Sequence, residues 1–75
     1  MPTLDQLRPG QRGRVLSLQG DAALLQRLME LGVLEGEEVE VVGFAPLGDP
    51  IEIRLGNSRL SLRRQEAAGI DVHLL

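Results

Sequence analysis

The sequence predicts a mainly β protein: a small five-stranded barrel with one short α-helix, at about residues 21–31, and one or two further helical turns. Three observations predict it. Five short segments carry apolar residues on alternating positions or close to it, the pattern of half-buried antiparallel strands. A single segment has apolar residues at helical spacing. The chain is 75 residues long and 43% hydrophobic, yet Phe44 is its one aromatic residue, so the interior must be Leu, Val and Ile, closed tightly. Short strands with a solvated outer face and little helix close most simply into a barrel. The expectation is one domain over residues 1–75.

The elements follow in order. In "TLDQLRPGQRG", Thr3 precedes a capped helical turn over Leu4 to Leu7, and Pro9-Gly10 makes a turn. "RGRVLSLQG" is the first strand. Its apolar residues Val15, Leu16 and Leu18 cannot share one face of a flat strand, so a bend or bulge is expected there. In "GDAALLQRLMELG", Asp21 is a good N-cap. Leu24, Leu28 and Leu31 fall at helical spacing with Leu25 and Met29 alongside, and Gly32 supplies a left-handed terminator. So short a helix does not persist alone in water, so it must lie against the sheet, covering one barrel end.

Four strands remain. Val39 and Val41 oppose Glu38 and Glu40. Ile51, Ile53 and Leu55 oppose Glu52 and Arg54. Leu60 and Leu62 oppose Arg59 and Ser61. Ile70, Val72 and Leu74 oppose Asp71 and His73. Gly56-Asn57 joins the third and fourth strands in a tight hairpin. "RRQEAAG" is one helical turn ended by Gly69. The corner from Gly32 to Gly36 turns helix into strand in minimal length, with glycine where positive φ is needed.

Composition excludes several functions. The formal net charge is −3, and all eight cations are arginine, which opposes non-specific nucleic-acid binding. Without lysine there is no phosphate-binding G-x-x-x-x-G-K-[ST] loop. Ser17, Ser58 and Ser61 are nucleophiles only beside a base, and His73 is the sole histidine, so the chain is read as no enzyme. Cysteine is absent, which removes disulfides and thiolate metal sites. No apolar run matches a signal peptide or a membrane span, so a cytoplasmic protein with no direct membrane insertion is expected. An SH3-type polyproline groove needs Trp and Tyr, and neither occurs.

The stretches "LRPGQRGRVLSLQG", "RLMELGVLEGEEVEVV" and "APLGDPIEIRLGNSRLSLRRQEAAGIDV" resemble, in order and spacing, the FeoA family of bacterial ferrous iron uptake. The combination R-L-x-E-L-G, P-L-G-D-P and L-R-x-x-E-A carries the likeness, which runs from about Leu4 to Val72. The resemblance implies an SH3-like barrel that serves as a cytosolic accessory to the FeoB membrane transporter, with no required cofactor. The segment "PGQRGRVLSLQG" also resembles the KOW motif of ribosomal proteins, over the first strand alone. That alternative is a nucleic-acid-associated barrel, which the acidic balance opposes; no nucleic-acid partner is expected.

Candidate contact residues lie at rims and loops. Arg27 and Glu30 have a plain reading as an ion pair three apart on the helix, worth roughly 0.2–0.5 kcal/mol. The sharper reading joins them with Leu34 in a partner-binding edge. In "APLGDP", Leu47 at the tip and the Gly48-Asp49 turn form either a docking knob or a plug folded over the barrel. For a metal, Asp71 and His73 share the outer face of one strand, and Glu52 is a third outward ligand on another. They supply half a site for Zn2+ or Fe2+, which a second copy of the chain could complete; the plain reading is a solvated histidine. A metal sensor or delivery module is therefore a further alternative, and homo-oligomerisation is left open.

Overall fold

The computed structural model describes residues 2–75. A 3-10 turn at Leu4–Gln6 opens the fold. It is followed by β1 (Arg12–Leu18), α1 (Ala22–Glu30), β2 (Glu38–Phe44), β3 (Ile51–Leu55), β4 (Ser58–Leu62), α2 (Arg64–Ala67) and β5 (Ile70–Leu74). All five strands join one antiparallel sheet in the order β4-β3-β2-β1-β5. The sheet curls so that its inner face encloses Val15, Val39, Val41, Ile51, Ile53, Leu62, Ile70 and Val72, all at most 1% exposed. Leu4, Leu7, Leu28, Val33 and Ala67 complete the core from the turns and helices. The barrel is sealed by packing, not by a continuous ladder: among the described residues β4 and β5 share no pairing, and α2 bridges them.

The expected bend in β1 is present. Its register against β5 shifts between Val15 and Ser17, so Leu16 is the extra residue, and Val15 and Leu18 both turn toward the core. A second shift, between Val41 and Gly43 of β2, was not expected; it bends the sheet at the opposite wall. The hairpin Gly56-Asn57 joins β3 to β4 in unbroken register, Leu55 opposite Ser58.

Helix α1 is capped at both ends. Asp21 Oδ1 accepts from the Leu24 amide at 2.8 Å. At the other end the Val33 amide donates to Leu28 O and the Gly32 amide to Met29 O, with Gly32 at φ 90°. That is the paired closure of a Schellman motif, and the fully buried Leu28 and Val33 are its apolar partners. The helix therefore spans Ala22–Glu30, with Asp21 and Leu31 as caps. Its apolar face is narrower than its spacing predicts. Leu31 is 42% and Met29 61% exposed, although Leu31 keeps helical backbone angles and donates to Arg27 O. Leu74 is also half-exposed, at the free end of β5.

Gly69 follows the C-cap of α2, its amide donating to Glu66 O at 3.2 Å, and has a second role besides. A Cβ there would lie 2.5 Å from Gln19 O, so the position is empty because two backbones meet. The Gln19 amide donates to Gly69 O at 2.8 Å and fixes that approach.

A candidate docking face where both helices meet the proline loop

Helix α2 begins directly after β4, and its third residue, Glu66, reaches back to accept from the Arg63 amide at 2.9 Å. This is the capping arrangement that a carboxylate three residues past the cap provides. The same Oε1 accepts from Arg27 Nη2 of α1 at 2.7 Å. Glu66 thus ties both helices together, with its side chain only 18% exposed. Burial pushes its carboxyl up, but the Arg63 amide, the Arg27 hydrogen bond and the charges of Arg27 and Arg63 together hold it below the ordinary carboxylate value.

The pairing of Arg27 with Glu30 does not form. Arg27 has turned to Glu66, a less exposed carboxylate with a partner already in place, and Glu30 is left in solvent.

The loop from Ala45 to Pro50 is held at several points. The Ala45 amide donates to Pro50 O at 3.0 Å and the Gly48 amide to Ala45 O at 2.7 Å. Asp49 Oδ1 accepts from the Arg64 amide at 2.9 Å, so Asp49 anchors the loop to the first turn of α2. Arg64 in turn donates through Nη1 to Gly48 O at 3.3 Å, and its guanidinium lies 5.7 Å from the Phe44 ring centre. On this fixed loop Leu47 is 97% exposed, so it does not fold back as a plug.

Arg27 and Asp49 come together with Pro50, Ser61, Arg63 and Glu66 around a shallow depression of about 380 Å³. Glu30, Leu34 and Leu47 are exposed but do not line it. Leu34 stands 40% exposed in the connection after α1. Sequence reasoning missed Glu66 and Arg64 as the residues that organise this face. The spacing Arg63-x-x-Glu66 was a usable capping signal; the long-range contacts to Arg27 and Asp49 were not.

The metal candidates separate. Asp71 Oδ2 accepts from Ser17 Oγ at 2.7 Å, and His73 is exposed, opposite Arg14 on β1. Glu52 sits on β3 near Arg59 Nη1 at 3.8 Å. β2 and β1 lie between β3 and β5 in the sheet, and among the described residues no three His, Asp or Glu side chains gather as a metal site, so Glu52 does not join Asp71 and His73. This donor set does not fit a metal ion resident in a single chain.

Residues 3–74 match the model of the FeoA domain. The chain belongs to the FeoA family. It is 35% identical over 72 residues to the Fe(2+) transport protein A/Fe(2+) transporter FeoB fusion protein of Porphyromonas gingivalis, a match covering 96% of this chain and 8% of that protein. The solution structure of FeoA from Chlorobium tepidum superposes with a TM-score of 0.94 at 44% identity, over 99% of this chain and 70% of that one. The FeoA of Stenotrophomonas maltophilia complexed with zinc, a prokaryotic SH3 domain protein, gives 0.84 at 35% identity, over 97% and 91% of the two chains. The SH3-like barrel expected from the sequence is thus the fold of this FeoA-family chain.

Proposed function

We infer that this FeoA-family chain is a non-catalytic interaction module that docks on the cytosolic part of a FeoB-type transporter and modulates its activity. The fusion of a matching segment to FeoB in P. gingivalis carries the reading. Covalent linkage of two modules raises their effective concentration, which profits only modules that meet. The docking face supports it in kind. Leu47 is presented on a loop pinned by Asp49 and Arg64, so little ordering entropy is lost when a partner closes over it. Arg27 lines the depression, and the exposed Glu30 and Leu34 are further candidates for the contact. No helix among the described residues is long and apolar enough to cross a membrane, so contact with a membrane transporter is read as docking at its cytosolic surface.

The test is co-purification of the transporter with the tagged chain, followed by capture with Leu47→Glu and Leu34→Glu. Wild type is expected to retain the transporter, Leu47→Glu to lose most of it and Leu34→Glu to retain less. Unchanged capture by both variants would reject this face, and no capture by wild type would reject the docking itself.

A metal-binding reading has one specific observation behind it, the zinc complex of the S. maltophilia relative. In this chain it would rest on His73 and Asp71, with further ligands from a second copy. Calorimetric titration with Fe2+ and Zn2+ separates the two readings. The docking module is expected to show no tight one-to-one Fe2+ binding as a monomer. Tight binding abolished by His73→Ala would instead establish a sensor or delivery protein.

A further inference from the structure

The two edges of the sheet are treated differently. The edge of β5 is covered by the chain's own start: the Val72 amide donates to Pro2 O at 3.0 Å, and Thr3 bridges to Asp71. The edge of β4 is bare. Among the described residues none of its backbone groups makes a backbone hydrogen bond beyond its ladder with β3. The register identifies the unpaired groups. Leu55 and Ser58 close a two-residue turn, so they form a hydrogen-bonded pair, and the alternation makes Arg54–Arg59 and Glu52–Ser61 the pairs that do not bond. The N–H and C=O groups of Arg59 and Ser61 therefore point outward. Unlike β1 and β2, β4 has no bulge, and it has no proline, so little in its own backbone blocks a further strand.

The charge along this edge selects the partner. Residues 57–65 hold three arginines, Arg59, Arg63 and Arg64, and no carboxylate, in a chain of net charge −3. Arg59 lies opposite Arg54 in the ladder, and its one carboxylate partner among the described residues is Glu52, at 3.8 Å. Leu60, half-buried, awaits cover on the inner side. We propose that β4 is a strand-addition site for an extended segment of another protein that alternates apolar and acidic residues, pairing with Arg59 and Ser61. Its carboxylates lie beside Arg59 on the outer face, and its apolar residues cover Leu60. A second copy of this chain fits less well: antiparallel pairing centred on Arg59 sets arginine against arginine, centred on Ser61 it sets Arg59 against Arg63, and centred on Leu60 it sets Arg59 against Ser61 and gives neither arginine the carboxylate that an acidic strand supplies. This edge adjoins the proposed transporter contact, sharing Ser61 and Arg63 with its depression, but the strand-addition reading does not rest on that contact and the peptide titration tests it without the transporter.

The probe is a capped Val-Glu-Val-Glu-Val peptide titrated into the 15N-labelled full chain, read by amide shifts and hydrogen exchange. Binding is expected to shift β4 and to slow exchange at the Arg59 and Ser61 amides. Ser61→Pro removes an outward N–H while leaving the β3 ladder, and Arg59→Glu reverses the charge. Each is expected to weaken binding at least tenfold, and Arg59→Glu decides alone if the proline variant does not fold. Equal binding of Val-Lys-Val-Lys-Val, or shifts that bypass β4, overturns the proposal. So does concentration-dependent protection of the same amides without peptide, which assigns the edge to a second copy.

Discussion

At the residue scale, Glu66 concentrates more function-bearing geometry than any residue the sequence singled out. One oxygen accepts from the Arg63 amide and from Arg27, so it caps α2 and holds α1 to it. Glu66→Gln keeps the shape and weakens both contacts. Arg27 is half-exposed, so solvent screens its share and the expected loss is about 1 kcal/mol at pH 7, read from urea unfolding. The carboxyl is held below its ordinary value when folded, so its contribution is complete above the unfolded pKa near ~4.3. It fades as pH falls through the folded pKa. The gap between wild type and Glu66→Gln should therefore be constant at neutral pH and shrink below about pH 4. A gap that widens on acidification would contradict this account of Glu66. The sequence made Arg27 visible as a helix cation but gave it the wrong partner. An i, i+3 reading sees Glu30 and cannot see a carboxylate 39 residues away.

At the element scale, α1 shows how an apolar pattern is recognised correctly and then over-read. The spacing of Leu24, Leu28 and Leu31 is helical, but Leu28 is the one fully buried residue of the three and Leu31, the C-cap, stays 42% exposed. Attachment of α1 thus rests chiefly on Leu28, supported by Leu24. Leu28→Ala should cost about 2–5 kcal/mol. Leu31→Ala, at a half-exposed site, should cost under about 1 kcal/mol, with both read by urea unfolding. Similar losses would mean that the helix buries its whole predicted face. Gly32→Ala should cost about 1–2 kcal/mol through the left-handed conformation alone; its Cβ also comes within 3.3 Å of Leu55. Among the strands, the β1 bulge was legible because three apolar residues within four positions violate alternation. The β2 bulge carries the same signal, Val41, Val42 and Phe44 within four positions around Gly43, but the regular alternation of Val39 and Val41 with Glu38 and Glu40 ahead of it drew the reading.

At the scale of the whole molecule, the alternating segments specify the barrel's inner face, but not where its seam lies or what seals it. The seam falls between β4 and β5, and the chain's own start covers its β5 side through Pro2 and Thr3, residues distant in sequence from β5. Gly69 acts on the opposite side of β5: its contact with Gln19 extends the β1–β5 ladder where the start of β5 meets the end of β1. A glycine read from sequence as a helix terminator is also a point of close backbone approach, since spacing reports local turns and not which distant backbone will press against them. The two readings make different predictions. A terminator alone tolerates alanine at modest cost, whereas at a point of close approach the new Cβ meets a carbonyl oxygen at 2.5 Å that has no rotamer to escape into. Gly69→Ala should therefore destabilise by about 2–3 kcal/mol as overpacking, lowering Tm by roughly 10–20 °C in a domain of this size. Gly43→Ala is the matched control: its Cβ would meet nothing within 4 Å and its φ is not positive. That change should stay within about 0.5 kcal/mol of wild type. Equal thermal shifts for the two variants would mean that the Gly69–Gln19 approach is not the tight contact described.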